Sequence, residues 1–217
     1  TNIDNQGISG LEKYIDDQGL ADLQLSGFAA DLKPVQLSID LRVQHIVHDE
    51  LALAMEKYHA IAAGAVIINV KTGEVAAMAS LPDYDPNNPF NAHEKDRLNR
   101  MSAGVFEMGS TIKSFTTAMA LDSGKVTMES RFDASRPITI GRQTIRDFHG
   151  KGRVLTVPEV FIYSSNIGSA READVVGIEG HREFLKRIGL LDRMNTELPE
   201  VARPTEPKVW KKVHSIT

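Results

Sequence analysis

The seven residues Glu107-Met108-Gly109-Ser110-Thr111-Ile112-Lys113 set a hydroxyl and an amine three positions apart. A serine hydroxyl is a weak nucleophile at neutral pH and needs a base within hydrogen-bonding reach. On a helix, positions i and i+3 share a face, about 5–6 Å apart at Cβ. Ser110-x-x-Lys113 therefore brings nucleophile and base together without help from distant residues. Burial would depress the pKa of Lys113 and let the neutral amine accept a proton. The helix N-terminus adds a positive potential that favours developing negative charge, and Gly109 is expected to let the backbone approach closely just before the helix. Alone, the pattern is common by chance, and its ordinary reading is a helix with an N-terminal serine and a surface lysine. Against that stands the setting of Lys113, which falls in the most apolar helical stretch of the chain.

A second constellation is Tyr163-Ser164-Ser165-Asn166-Ile167-Gly168. Taken singly it is an ordinary helix cap. Downstream of a Ser-x-x-Lys helix it supplies a second hydroxyl, Ser164, able to relay a proton. It also supplies a carboxamide, Asn166, able to bind both a lysine and a substrate carbonyl. Two other patterns fail on chemistry. Gly104-x-x-x-x-Gly109 lacks the lysine that a phosphate-binding loop needs directly after its second glycine, where Ser110 stands instead. His45 and His48 can share a helix face, but no third ligand lies near them in sequence, so no metal is expected. No organic cofactor is expected either.

The elements that must position these groups follow from periodicity. Pro34–Ile39 alternates as a half-buried strand does. Asp40 is a plausible N-cap for a helix running to about His59, with Val43, Ile46, Val47, Leu51, Ala54 and Tyr58 on one face. Ala65–Val70 and Glu74–Ala79 read as a hairpin turning at Lys71-Thr72-Gly73. The three prolines and three asparagines of Leu81–Ala92 read as a surface loop. From Gly109 to Gly124 the spacing predicts a helix apolar on most sides, hence buried. A short hairpin is expected around Gly141-Arg142. A capping box joins Thr156 to Glu159 with Pro158 in the first turn, and helices are expected over Ile167–Val176 and Glu179–Ile188. The class is α+β.

Composition sets the outer bounds. A formal net charge of -4 does not suggest the basic face that nucleic-acid binding demands. Cysteine is absent, which excludes disulfides and thiolate chemistry. No apolar run reaches membrane-spanning length. The ends at Thr1 and Thr217 read as cut, so the chain is expected to be a fragment of a longer protein.

The two serine motifs together resemble penicillin-binding proteins and serine β-lactamases. Gly7-Ile8-Ser9-Gly10-Leu11-Glu12, Leu37-Ser38-Ile39-Asp40, Thr72-Gly73-Glu74-Val75-Ala76-Ala77-Met78, Pro82-Asp83-Tyr84-Asp85-Pro86-Asn87, Asn99-Arg100 and the Trp210 region narrow this to a resemblance with class B penicillin-binding proteins. Met108, where many relatives carry proline, is similar to alphaproteobacterial septal members. The resemblance implies a penicillin-binding transpeptidase / serine β-lactamase-like fold, incomplete here, with early strands plus the helical subdomain. Residues 1–33 would be a remnant of the N-terminal pedestal or linker, and 34–217 the first part of the transpeptidase domain. It implies a peptidoglycan D,D-transpeptidase with Ser110 as nucleophile, Lys113 as base, Ser164 as proton relay, and Asn166 positioning Lys113 and the acyl amide.

Stem peptides and β-lactam antibiotics are the implied ligands, and division or elongation membrane proteins the implied partners of the parent. The parent would be held at the periplasmic face of the inner membrane by an N-terminal helix absent from this sequence. The family's third motif, Lys-Thr-Gly, lies on a strand after Ser-x-Asn. Lys71-Thr72-Gly73 precedes the nucleophile, so its match is a coincidence. Without that strand one oxyanion donor is missing, a loss worth about 100- to 1000-fold in rate, and this chain alone would be a weak or inactive enzyme. Two alternatives stay open: a non-catalytic binding module of the cell-division machinery, and a serine β-lactamase or β-lactam sensor. An exposed sheet edge would also favour self-association. Analytical ultracentrifugation should then show it well below micromolar concentration, and a clean monomer would count against it.

Overall fold

The computed structural model describes residues 7–26, 35–92 and 94–216. The chain divides into two compact units, one of residues 1–105 with 193–203 and the other of residues 106–192 with 204–217.

The first unit begins with helix α1 (Gly10–Ser26), in a region where the sequence reading placed no helix. The Gly10 N–H donates to both Glu200 carboxylate oxygens, at 3.0 and 3.2 Å, so an anion meets the positive end of the helix. Helix α2 (Leu41–Tyr58) starts where expected, the Asp40 carboxylate accepting from the N–H groups of Arg42 and Val43. Strands β1 (Ala63–Ile68) and β2 (Val75–Leu81) form the antiparallel hairpin, with Ala65 opposite Ala79. Lys71-Thr72-Gly73 lies in its turn, where the N–H of Gly73 donates to the Asn69 carbonyl (2.8 Å). Gly73 has φ +80°, a conformation that favours glycine.

The strand expected over Pro34–Ile39 is not one. Pro34 lies outside the described residues, and Val35–Asp40 has no strand ladder. The segment meets β2 through two separate bonds instead, from Ser38 Oγ to the Val75 carbonyl (2.8 Å) and from the Asp40 N–H to the Ala76 carbonyl (2.9 Å). One turn into α2, the Gln44 carboxamide donates to the Met78 carbonyl (2.8 Å) and accepts from the Met78 N–H (2.9 Å). A side-chain amide thus does for β2 what a neighbouring strand would. Leu81 closes β2, and the loop after it leads to α3 (Arg100–Ala103), capped by the Asn99 side chain. Arg100 holds the loop's end by donating to the carbonyls of Leu81, Asp96 and Leu98.

The second unit holds the main core. A 3-10 turn, Gly109–Ile112, runs directly into helix α4 (Lys113–Asp122). Then come strands β3 (Arg131–Asp133), β4 (Ile138–Ile140), β5 (Gln143–Ile145) and β6 (Val154–Thr156), pairing as two small antiparallel ribbons, β3 with β6 and β4 with β5. Helices α5 (Val157–Ile162), α6 (Asn166–Val176), α7 (Ile178–Arg187) and α8 (Lys212–Ile216) complete it. The capping box at the start of α5 forms in both directions between Thr156 and Glu159. Met119 and Ala120 of α4 pack with Leu155, Val157, Val160, Ile167 and Ala170 in one apolar cluster. Gly168 is required by this packing: a Cβ there would sit 2.5 and 2.8 Å from the two Val160 methyl groups. Helix α4 is less buried than its sequence predicts. Only Thr117, Met119 and Ala120 are fully enclosed, whereas Phe115 remains 40% exposed, so a single face of the helix is used.

That buried face meets a carboxyl. Glu172 of α6 is wholly enclosed, with Oε2 accepting from Thr117 Oγ1 (2.8 Å) and Oε1 without a partner. Burial pushes its pKa up to about 7, the Thr117 bond opposing the shift. The folded state therefore keeps a proton that the unfolded chain releases near 4.5. Stability is full below that value and falls as pH rises toward 7, by on the order of 2–3 kcal/mol. In Glu172→Gln this part of the pH dependence should vanish, which thermal unfolding followed at intervals from pH 4.5 to 8 will test.

Candidate active site

The two serine motifs converge because of how α5 ends. Tyr163 is its C-cap; the N–H of Ser164 then donates to the Phe161 carbonyl (3.1 Å) and that of Ser165 to the Val160 carbonyl (3.0 Å). This pair of bonds is a Schellman motif, whose turning residue adopts the left-handed conformation and is usually glycine. Here the position is Ser164, with φ +50°. A side chain in that conformation costs roughly 1–2 kcal/mol. The next residue, Ser165, is already the N-cap of α6, its Oγ accepting from the Gly168 N–H at 2.9 Å. Three residues thus turn one helix into another, and the strained one presents its hydroxyl.

Lys113 meets that hydroxyl. Its Nζ donates to the Ser164 carbonyl at 2.6 Å and to Ser164 Oγ at 3.0 Å, across 51 positions of sequence. Ser110 lies one 3-10 turn before Lys113, and the Lys113 N–H donates to the Ser110 carbonyl. In such a turn, residues i and i+3 eclipse, which aligns the exposed Ser110 with the lysine more directly than an α-helix would. Gly109 has φ +56° with open space where a Cβ would stand. Glycine is needed there for its backbone conformation, not for the close approach expected from sequence. Burial lowers the pKa of Lys113, and the negative charge of Asp147 opposes that shift.

Asn166 is placed differently from its expected role. Its Nδ2 donates to the Arg146 carbonyl at 2.7 Å, so its amide is tied to the loop after β5 and not to Lys113. Sequence reasoning missed the neighbour in that loop. Asp147 accepts from Ser165 Oγ (2.9 and 3.1 Å) and from the Ile167 N–H (2.9 Å), gripping the motif on both sides of Asn166. A lone acidic residue after a short hairpin carries no signal by itself. Among the described residues no group of acidic or histidine side chains could hold a metal ion, and no helix is long and apolar enough to cross a membrane.

A serine hydroxyl, a lysine of lowered basicity and a second serine hydroxyl in this order are groups that can support acyl transfer through a serine ester. Comparison with known proteins points the same way. A probable peptidoglycan D,D-transpeptidase, FtsI, from Caulobacter vibrioides is 42% identical over 205 residues, covering 94% of this chain and 34% of that protein. A probable peptidoglycan D,D-transpeptidase, PenA, from Neisseria gonorrhoeae is 36% identical over 167 residues, 77% of this chain and 28% of that one. The chain thus spans about a third of the length of the curated relatives it matches. The apo structure of the TP domain of Burkholderia pseudomallei penicillin-binding protein 3 superposes with a TM-score of 0.71 at 31% identity, over 85% of this chain and 53% of that one. Residues 63–216 match the penicillin binding protein transpeptidase domain, and the chain belongs to that family.

Proposed function

We propose that the protein bearing this chain is a peptidoglycan D,D-transpeptidase of the septal type that works through an acyl-serine intermediate and is acylated by β-lactams. The observation that carries the reading is the double hydrogen bond from Lys113 Nζ to the carbonyl and hydroxyl of Ser164. A neutral lysine amine has two N–H donors and one lone pair. With both donors committed to Ser164, the lone pair is left to take the proton of Ser110. The lysine is therefore oriented as a base by the same contacts that tie it to the relay.

In the proposed reaction Ser110 Oγ attacks the carbonyl carbon of the penultimate D-alanine of a stem peptide, and its proton passes to Lys113. Collapse of the tetrahedral adduct breaks the C–N bond. The terminal D-alanine leaves as an amine, protonated from Lys113 through Ser164 Oγ. An amine from a neighbouring stem peptide then attacks the ester and gives up a proton to Lys113, which returns it to Ser110 Oγ as the C–O bond breaks. Penicillins enter the same first step, with their strained amide bond opening in place of the peptide bond. Asn166, held by Arg146, is read as a group that lines the acyl amide. The septal role is supported by the likeness to the Caulobacter protein. The periplasmic face of the inner membrane is the corresponding location, and division proteins are the corresponding partners.

Intact-protein mass after incubation with a penicillin should show one adduct per full chain, and Ser110→Ala should show none. Lys113→Arg keeps a positive charge but cannot give up its proton near neutrality, so acylation should fall by about 100- to 10,000-fold. Absence of any adduct on the unsubstituted chain, even at high drug concentration, would favour the idle binding module. Ser164→Gly separates strain from chemistry. It should unfold at a higher temperature, by about 1 kcal/mol of relieved backbone strain, while acylating at least tenfold more slowly. A variant less stable than the parent, or equally reactive, would contradict the role given to Ser164.

A further inference from the structure

Asp147 neither carries a reacting atom nor belongs to either serine motif, yet the polar side of the site is built around it. Its carboxylate takes the Ser165 hydroxyl and the Ile167 N–H, while the carbonyl of the preceding Arg146 takes the Asn166 amide. Residues 165, 166 and 167 are thus each bonded to the 146–147 dipeptide. The residue before them is Ser164, strained and bonded to Lys113. Holding 165–167 fixes where the carbonyl and hydroxyl of Ser164 point.

The same carboxylate is the charged group that acts on Lys113. Several other ionisable side chains of the surrounding elements are engaged elsewhere, and the exposed Arg146 adjoins Asp147 in the loop. Glu159 of α5 pairs with Arg153, Lys151 lies over the Tyr163 ring, Arg171 of α6 donates to the Asp133 carbonyl, and Glu172 meets Thr117 one turn along α4 from Lys113. His149 in the same loop stacks edge-on with Phe148.

We infer that Asp147 is a positioning residue: its oxygens lock the Ser164–Asn166 segment in place, and so fix the Ser164 groups that Lys113 meets. The charge of the same carboxylate opposes the lowering of the Lys113 pKa by burial; what this means for catalysis rests on the reading of Lys113 as base, but the effect itself can be measured without it.

Asp147→Asn keeps an acceptor oxygen of the same shape and removes the charge, whereas Asp147→Ala removes both. The full chain labelled with 13C at the lysine ε carbon, with the Lys113 resonance assigned through Lys113→Arg, gives the titration midpoint of that amine directly. In Asp147→Asn the midpoint should fall by about 0.5–1 pH unit. The acid limb of the penicillin acylation rate should move to lower pH by the same amount. Asp147→Ala should lose about 10- to 100-fold in acylation at every pH, and Asp147→Asn should recover most of that loss at alkaline pH. A midpoint unchanged or raised in Asp147→Asn would overturn the electrostatic effect, and an Asp147→Ala protein acylated as fast as the parent would overturn the positional one. Should the unsubstituted chain take no penicillin at all, the reading of this chain as reactive on its own fails. The resonance midpoints would still decide whether the charge of Asp147 acts on Lys113.

Discussion

The bonds from Lys113 to Ser164 are the constraint around which the second unit is organised. They cross between a helix that begins at the lysine and a turn that lies 51 residues later, and each end is costly to hold. The lysine is partly withdrawn from water, and the serine occupies a backbone conformation that favours glycine by roughly 1–2 kcal/mol. An ordinary hydrogen bond is worth about 0.5–1.5 kcal/mol net, and Ser164 receives two from one amine, one on its carbonyl and one on its hydroxyl. On these magnitudes the hydroxyl bond, the one glycine would lose, does not exceed the strain of a side chain at this turn.

Ser110 and Lys113 depend on different parts of the fold from Ser164. Ser110 and Lys113 are neighbours on one continuous turn, so their alignment needs little beyond local backbone geometry and the positive φ of Gly109. Ser164 reaches them only because α4, α5 and α6 share a core. Val160 fixes the end of α5, Gly168 lets α6 lie directly against it, and Met119 packs α4 into the same cluster. The buried Glu172 is the exception in this core. Its carboxyl is satisfied on one side only, by a hydroxyl from the helix that carries Lys113. An isostere with no charge to lose would be free of the pH-dependent cost that burial places on it.

What could be read from the sequence was local. The Asp40 cap, the hairpin with its Gly73 turn, the Thr156–Glu159 capping box and the i, i+3 relation of Ser110 to Lys113 all depend on residues within a few positions of each other. Helix α1 was hidden because its polar and glycine-containing sequence obscures the spacing of Leu11, Tyr14 and Ile15. Residues 35–40 alternate like a strand, but their contacts to β2 come through one hydroxyl and one amide. The apolar run after Gly109 overstated burial because a helix can be apolar on faces that its own core does not cover. Asp147 and the partner of Asn166 were beyond reach for a plainer reason. They act across 18 to 20 residues, through a loop with no pattern of its own.

The left-handed serine also bears on how such a sequence changes over generations. At most positions, selection for folding and selection for chemistry favour compatible residues. At position 164 they pull apart, because the residue that folds best there has no hydroxyl. In a lineage released from any need for the reaction, drift would run toward glycine, each such replacement making the chain easier to keep folded. A descendant that still carries serine at this turn would therefore be recording continued demand for the hydroxyl, at a site where stability alone would have erased it.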